Sequence, residues 1–158
     1  MPAPYLLNYV LSGLESSPRL LAALLKGRSD GDPVWNVRPD PERFNLREMV
    51  AHLADWDAVW LHRVQRICTE DNPQLPSVDE GEMAIANDYA GSSPEQSLAR
   101  FAEARHELME ALRHCKPTDW SRTAVRVGVG ELTLFEMAAM IAGHDAHHAA
   151  YAVECLNG

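Results

Sequence analysis

The stretch GHDAHHAAY, Gly143 to Tyr151, sets three histidines within five positions near the end of a 158-residue chain. Burying an imidazole without a partner is costly, and a metal ion is one of the few partners that engages several at once. On an α-helix, residues four apart stand one above the other, about 6 Å along the axis, so His144 and His148 can reach one ion. His147 competes for that second place. At about 100° per residue, His148 turns from His144 toward Met137 and Ile141, whereas His147 turns toward the edge of the apolar stripe. This phase selects His144 and His148. Alone the pair is a weak signal, because scattered histidines often fall at this spacing as ordinary surface or core residues.

A third histidine adds weight. In REMVAHLADWDAVW, His52 lies between Met49, Leu53 and Trp56, inside an apolar helical face and away from Glu48 and Asp55. A single histidine on such a face is usually a hydrogen-bonded core residue. In a helical bundle, however, a position near the start of one helix can oppose a histidine on the last helix.

The elements that would position these residues are nearly all helical. From Pro4, apolar residues at Leu6, Val10, Leu14, Leu20, Leu21, Leu24 and Leu25 mark a first helix closed at Gly27, with Pro18 expected to kink or restart it. RSDGDPVWNVRPDPERF reads as a loop, and Asn45, with Glu48 three residues on, reads as the N-cap of a second helix over Leu46 to Thr69. A short helix is expected around Met83 to Tyr89. Ser93 and Pro94 then open a third long helix that runs to about Cys115 and stops before Pro117. RTAVRVGVGELT is the one strand-like piece, and a last helix spans Leu134 to about Leu156. Four long amphipathic helices without a repeat predict an all-α four-helix bundle, one domain over 1–158, with a hairpin or extended excursion near 122–132.

PVWNVRPDPERFNLREMVAHLADWD followed, after a long middle, by GHDAHHAAY resembles the DinB/YfiT-like family of metal-dependent enzymes. The likeness covers nearly the whole chain in order and spacing of elements. It implies an up-down-down-up bundle, with His52, His144 and His148 as metal ligands and His147 as the non-ligating member of the HH pair. It also places Asp57 at the family's acidic position and Trp35 at the tryptophan before the second helix. NVRPDPERFNL is longer and more charged than the family's usual segment there. The family's activities imply a transferase using a low-molecular-weight thiol such as bacillithiol or mycothiol, or a hydrolase. A divalent ion, zinc or nickel, is the expected cofactor, since imidazole suits both. The alternative is a non-catalytic, stress-related metal-binding bundle, distinguished by whether space exists beside the ion.

Composition narrows the partners. With 14 basic against 23 acidic residues, the formal charge of −9 repels phosphate backbones and anionic lipid headgroups, so neither nucleic acid nor membrane is an expected partner. Cys68, Cys115 and Cys155 are odd in number and widely spaced, which suits a reducing, cytoplasmic setting. MPAPYLLNYVLSGLES lacks the basic start and unbroken apolar run of a secretory signal. Trp56 and Trp60 read as core rather than pocket residues, and Cys68 and Cys115 as small packing residues. No local pattern supports nucleotide binding, because RVGVGEL has neither the following helix nor the lysine of a phosphate loop. The first helix is apolar beyond a single stripe, so a homodimer acting on a small-molecule substrate is expected.

Overall fold

The computed structural model describes residues 2–157. Its helices are α1 (Pro4–Leu24), α2 (Leu46–Thr69), α3 (Glu80–Ala86), α4 (Pro94–His114) and α5 (Leu134–Asn157). Local chemistry sets their ends. Asn45 accepts a hydrogen bond from the Glu48 backbone while Glu48 returns one to the Asn45 N–H, a complete capping box that starts α2. Ser93 caps α4 with Pro94 in its first turn. Gly27, at φ +83°, supplies the left-handed residue just beyond the end of α1.

The long helices form a four-helix bundle in which α1 and α2 are diagonal and each borders α4 and α5. Direction follows from the cross-links. Asp55 with Arg100, Asp57 with Arg105, and Cys68 with Cys115 advance together, so α2 and α4 run parallel. His52 meets His148 while Trp60 meets His144, so α5 runs against α2. The expected up-down-down-up order results. Two apolar clusters fill the bundle, one around Trp60, Ile67, Leu108 and Ile141, the other around Trp35, Leu46, Met49 and Phe101. Burial of these faces supplies the main stabilisation, about 25 cal/mol per Å² of apolar surface.

Pro18, expected to kink or restart α1, does not restart it. The helix continues through it, and the carbonyl of Leu14, which would have accepted the N–H that proline lacks, accepts instead from Arg105 Nη1 at 2.8 Å. The expected excursion is a hairpin of β2 (Thr123–Arg126) and β3 (Gly130–Thr133), turned at Gly128 with φ +82°. A two-residue strand, β1 (Gln74–Leu75), joins it in parallel on the far side of β2. Two residues are too few to show an alternating pattern, and β1 was not expected. The short helix begins at Glu80 rather than Met83, because Asp79 caps it.

Candidate metal centre

The capping box fixes the phase of α2 so that His52, Trp56 and Trp60 succeed one another one turn apart, all buried. On α5, Met140, His144 and His148 likewise succeed one another one turn apart, each half-buried. The two stripes face each other, and the structure brings His52, His144 and His148 together. His144 Nε2 lies 3.1 Å from His52 Nε2 and 3.2 Å from His148 Nε2. Two imidazole nitrogens on one tetrahedral ion, each about 2.0–2.1 Å from it, stand about 3.3 Å apart. The donor set therefore fits a divalent ion of that size.

The electrostatics agree. Burial, followed by the fields of His148 and His144, pushes the His52 imidazolium down to about 2, and burial with His144 pushes His148 down to about 3. Both rings are neutral at pH 7, with lone pairs available. The Nδ1 atoms of all three are buried without an acceptor on the protein, and His144 Nδ1 is 4.0 Å from Asp145, beyond hydrogen-bond reach. The Nε2 atoms, not the Nδ1 atoms, converge.

His147 lies outside the cluster, exposed, with its Nε2 accepting from Arg43 Nη2 at 3.0 Å. The charged loop before α2 carries Arg43, whose guanidinium carbon sits over the Tyr151 ring, 3.6 Å from its centre. Together with Phe44, Met49, Glu80 and His148, these residues line a cavity of about 150 Å³ that reaches one of the three histidines. A larger apolar cavity, about 210 Å³ between α1 and α5, touches none of the three. Chemistry rather than size selects the first. Trp35, buried and anchored by its Nε1 to the Ser29 carbonyl at 2.8 Å, holds the start of the same loop.

Asp57 belongs to a second buried constellation. Arg105 donates to both its oxygens at 2.7 and 2.9 Å and to those of Asp145 at 2.5 and 3.0 Å. Burial lifts the Asp57 carboxyl to about 6. For Asp145 burial also pushes upward, but the nearby His144 ring and the hydrogen bonds and charge of Arg105 outweigh it and hold the acid below its ordinary value. Burial opposes the Arg105 charge, and bonds from both carboxylates overcome that and raise it. Sequence reasoning placed Asp57 but missed Arg105 and Asp145. The signal available was an aspartate inside GHDAHH on a face where charge is costly.

Trp56 and Trp60 are core residues, as expected, yet each ring centre also lies 6.1 Å from that of His144, so they wall the centre as well. Cys68 and Cys115, expected as separate packing residues, have Sγ atoms 3.5 Å apart and remain free thiols.

Comparison with known proteins gives a consistent result. The DinB superfamily matches residues 14–152. A protein of Oceanobacillus iheyensis named as a candidate metal-dependent hydrolase is 27% identical over 92% of this chain and 83% of its own length. A second, from Halalkalibacterium halodurans and named in the same way, is 26% identical over 72% of this chain and 66% of its own. Among solved structures, YfiT from Bacillus subtilis, described as a probable metal-dependent hydrolase with an unusual four-helix bundle topology, superposes with a TM-score of 0.88 at 21% identity. That likeness covers 98% of this chain and 88% of YfiT, and it speaks to the fold.

Proposed function

Because this chain belongs to the DinB superfamily, we propose that it is a metal-dependent enzyme whose ion is held by His52, His144 and His148, acting as a hydrolase or as a transferase of a low-molecular-weight thiol. The observation that carries this reading is the convergence of three imidazoles, with His144 Nε2 at the edge length of a tetrahedral site from both His52 Nε2 and His148 Nε2. A divalent ion there, zinc or nickel, lowers the pKa of a water or a thiol enough for it to act as a nucleophile at neutral pH.

The chain's own residues perform the remaining tasks. Three protein ligands leave room for a nucleophile or a substrate atom, as catalytic rather than structural sites do. Trp56 and Trp60 exclude water from one flank, and their rigid surfaces orient a flat substrate. Arg43 and Tyr151 form the opposite wall, where the cavity beside His148 admits a small molecule. That space favours an enzyme over a non-catalytic bundle, and the names of the relatives favour hydrolysis.

Elemental analysis of the purified protein should return about one divalent ion per chain, as expected for a single three-imidazole site. Turnover should then be sought with nitrophenyl esters and, separately, with a low-molecular-weight thiol plus an aromatic electrophile. Loss of turnover on chelation and its return with zinc or nickel is the expected result. No metal after reconstitution overturns the reading.

Two further proposals concern setting. The outer face of α1, where Tyr5, Tyr9 and Leu20 are exposed, supports a homodimer, and light scattering that returns a monomer at micromolar concentration overturns it. Three free cysteines support a cytoplasmic location, and among the described residues no helix is long and apolar enough to cross a membrane.

A further inference from the structure

The far end of α2 carries a reactive pair that the histidine centre leaves unused. Cys68, in the last turn of α2, and Cys115, the residue that ends α4, are free thiols, both half-buried, with Sγ atoms 3.5 Å apart. From His52 to Cys68 the helix rises about 24 Å, so the pair is remote from the proposed ion. Local bonds hold both backbones. Arg122 donates to the carbonyls of Ile67 and Glu70, at 2.6 and 2.5 Å, on either side of Cys68. The Cys115 N–H donates to the Leu112 carbonyl at 3.3 Å, and the N–H of Lys116 donates to the Asp119 carboxylate at 2.8 Å. A disulfide sets its sulfurs about 2.0 Å apart, so about 1.5 Å separates the open pair from a closed one. With the backbones tied, rotation about the two Cα–Cβ bonds is the motion available to cover it.

Cys115 is also part of a cavity wall. A space of about 470 Å³ lies between the start of α1, the end of α4 and the turn that carries Trp120, and Leu7, Leu11, Leu112 and Trp120 line it together with this thiol. Among the described residues its lining has one charged side chain, Arg113, which Glu15 engages at 2.8 Å and Glu110 at 3.2 Å. The formal charge of −9 on the chain further disfavours an anionic visitor. The space therefore suits a small, uncharged, apolar or aromatic molecule, and the nucleophile it offers that molecule is a thiol.

We infer that Cys68 and Cys115 are a modification site, closed to an intramolecular disulfide by exchange with a small apolar disulfide that reaches Cys115 through this cavity. Cys115 gives its proton to water and attacks one sulfur of the reagent, which forms a mixed disulfide and expels one thiolate. Cys68, deprotonated in turn, attacks Sγ of Cys115, which forms the protein disulfide and expels the second thiolate. Both thiolates take up the released protons, so the reagent is reduced to two thiols and the two cysteines are oxidised. Burial raises the Cys68 thiol, and burial with the neighbouring sulfur lifts that of Cys115 to about 12, so both steps are slow at neutral pH. The same property makes each sulfur a poor leaving group, and the closed pair is correspondingly slow to reopen. Closure ties the end of α2 to the end of α4, across 47 positions of sequence. No histidine takes part, so the site stands whether or not the protein holds an ion.

The test treats the reduced protein with dipyridyl disulfide, a neutral aromatic reagent, and with its dicarboxylated analogue, which has a similar leaving group. Release of the coloured thione gives each rate, and dividing by the rate with free cysteine removes intrinsic reactivity. On that scale the neutral reagent should be faster. A peptide map made without reduction should show Cys68 joined to Cys115, with no reagent left on either. Cys68→Ser should instead retain one reagent group on Cys115, because no second thiol displaces it. Closure should raise the midpoint of thermal unfolding by about 5 °C or more, the gain from constraining an unfolded loop of this length, and neither serine variant should show that rise. Cys115→Ser keeps the test decisive if Cys68→Ser fails to fold, since its remaining thiol, away from the cavity wall, should react more slowly than the native pair. Reagent retained on both cysteines of the native protein overturns the proposal. So do equal rates from the two reagents or a faster charged one, an unchanged or lowered midpoint after closure, and a Cys115→Ser rate equal to or above the native one.

Discussion

α2 and α5 each contribute to two buried polar triads, and the two are built on opposite terms. In the Asp57–Arg105–Asp145 triad every strong donor meets an acceptor: Arg105 makes two bonds to each carboxylate and a fifth to the Leu14 carbonyl. In the His52–His144–His148 triad three nitrogens converge on one another while their other ring nitrogens have no partner on the protein. The first is closed and ties α1, α2, α4 and α5 together. The second is open on one side to a cavity. A satisfied buried network specifies a fold, and converging unsatisfied lone pairs specify a ligand.

The largest expected effect separates the two triads. Arg105→Ala leaves two carboxylates and the Leu14 carbonyl buried without a partner, which should cost about 3–5 kcal/mol of folding stability. Urea denaturation would measure it. The folded fraction should still bind metal with wild-type stoichiometry, and metal loss without destabilisation would erase the division between a structural and a ligand-binding triad.

His148→Ala should do the converse. Losing one of three protein ligands should lower metal affinity by more than about a hundredfold, beyond the effect of altering an outer-shell partner. Competition with a chromophoric chelator would read the loss. Stability of the metal-free variant should change little, because the ring removed is one of three neutral imidazoles that face one another without a carboxylate partner.

A smaller effect appears with pH in the metal-free protein. His52 and His148 are depressed from the ordinary value of 6.5, so the unfolded chain binds protons that the folded one refuses as the pH falls below about 6.5. Stability should then decline by on the order of 1 kcal/mol per pH unit. Asp57, raised to about 6, works in the other direction between there and 3.8, since its folded form takes up the proton first. Two histidines against one carboxyl leave a net loss down to about pH 4. Thermal melts at pH 7, 6 and 5 test the sign, and a flat or rising profile would mean that the imidazoles are not buried neutral groups.

The smallest change is expected from His147→Ala. Its ring meets Arg43 and solvent rather than the cluster, so metal affinity should stay within about threefold of wild type, well short of the effect of losing a ligand. Loss equal to that of His148→Ala would place the wrong face of α5 against α2.

Much of this was legible before the structure. The ends of α2 and α4 followed from Asn45 with Glu48 and from Ser93 with Pro94, and the choice of His148 over His147 followed from a 100° step along α5. The misses share one feature. Pro18 was expected to kink or restart α1; the helix does not restart there, and the acceptor that the proline strands is claimed by Arg105, 91 residues away in sequence. Trp56 and Trp60 were legible as core, yet not as walls of a site, because burial and contact with a ligand require the same apolar surface.

The sequence by itself determined the four long helices, their caps, the hairpin and the stripe that carries each histidine. These depend on interactions within about four residues, where backbone geometry translates spacing directly into direction. Tertiary structure alone decided that Cys68 meets Cys115, that Arg105 bridges Asp57 and Asp145, that the loop before α2 lays Arg43 beside His147, and that Arg63 and Arg126 share the Trp60 ring. Each of those meetings depends on how far one helix slides and turns against another. Helix-to-helix register is set by the packing of whole apolar faces, a sum over many side chains that no short stretch of sequence contains.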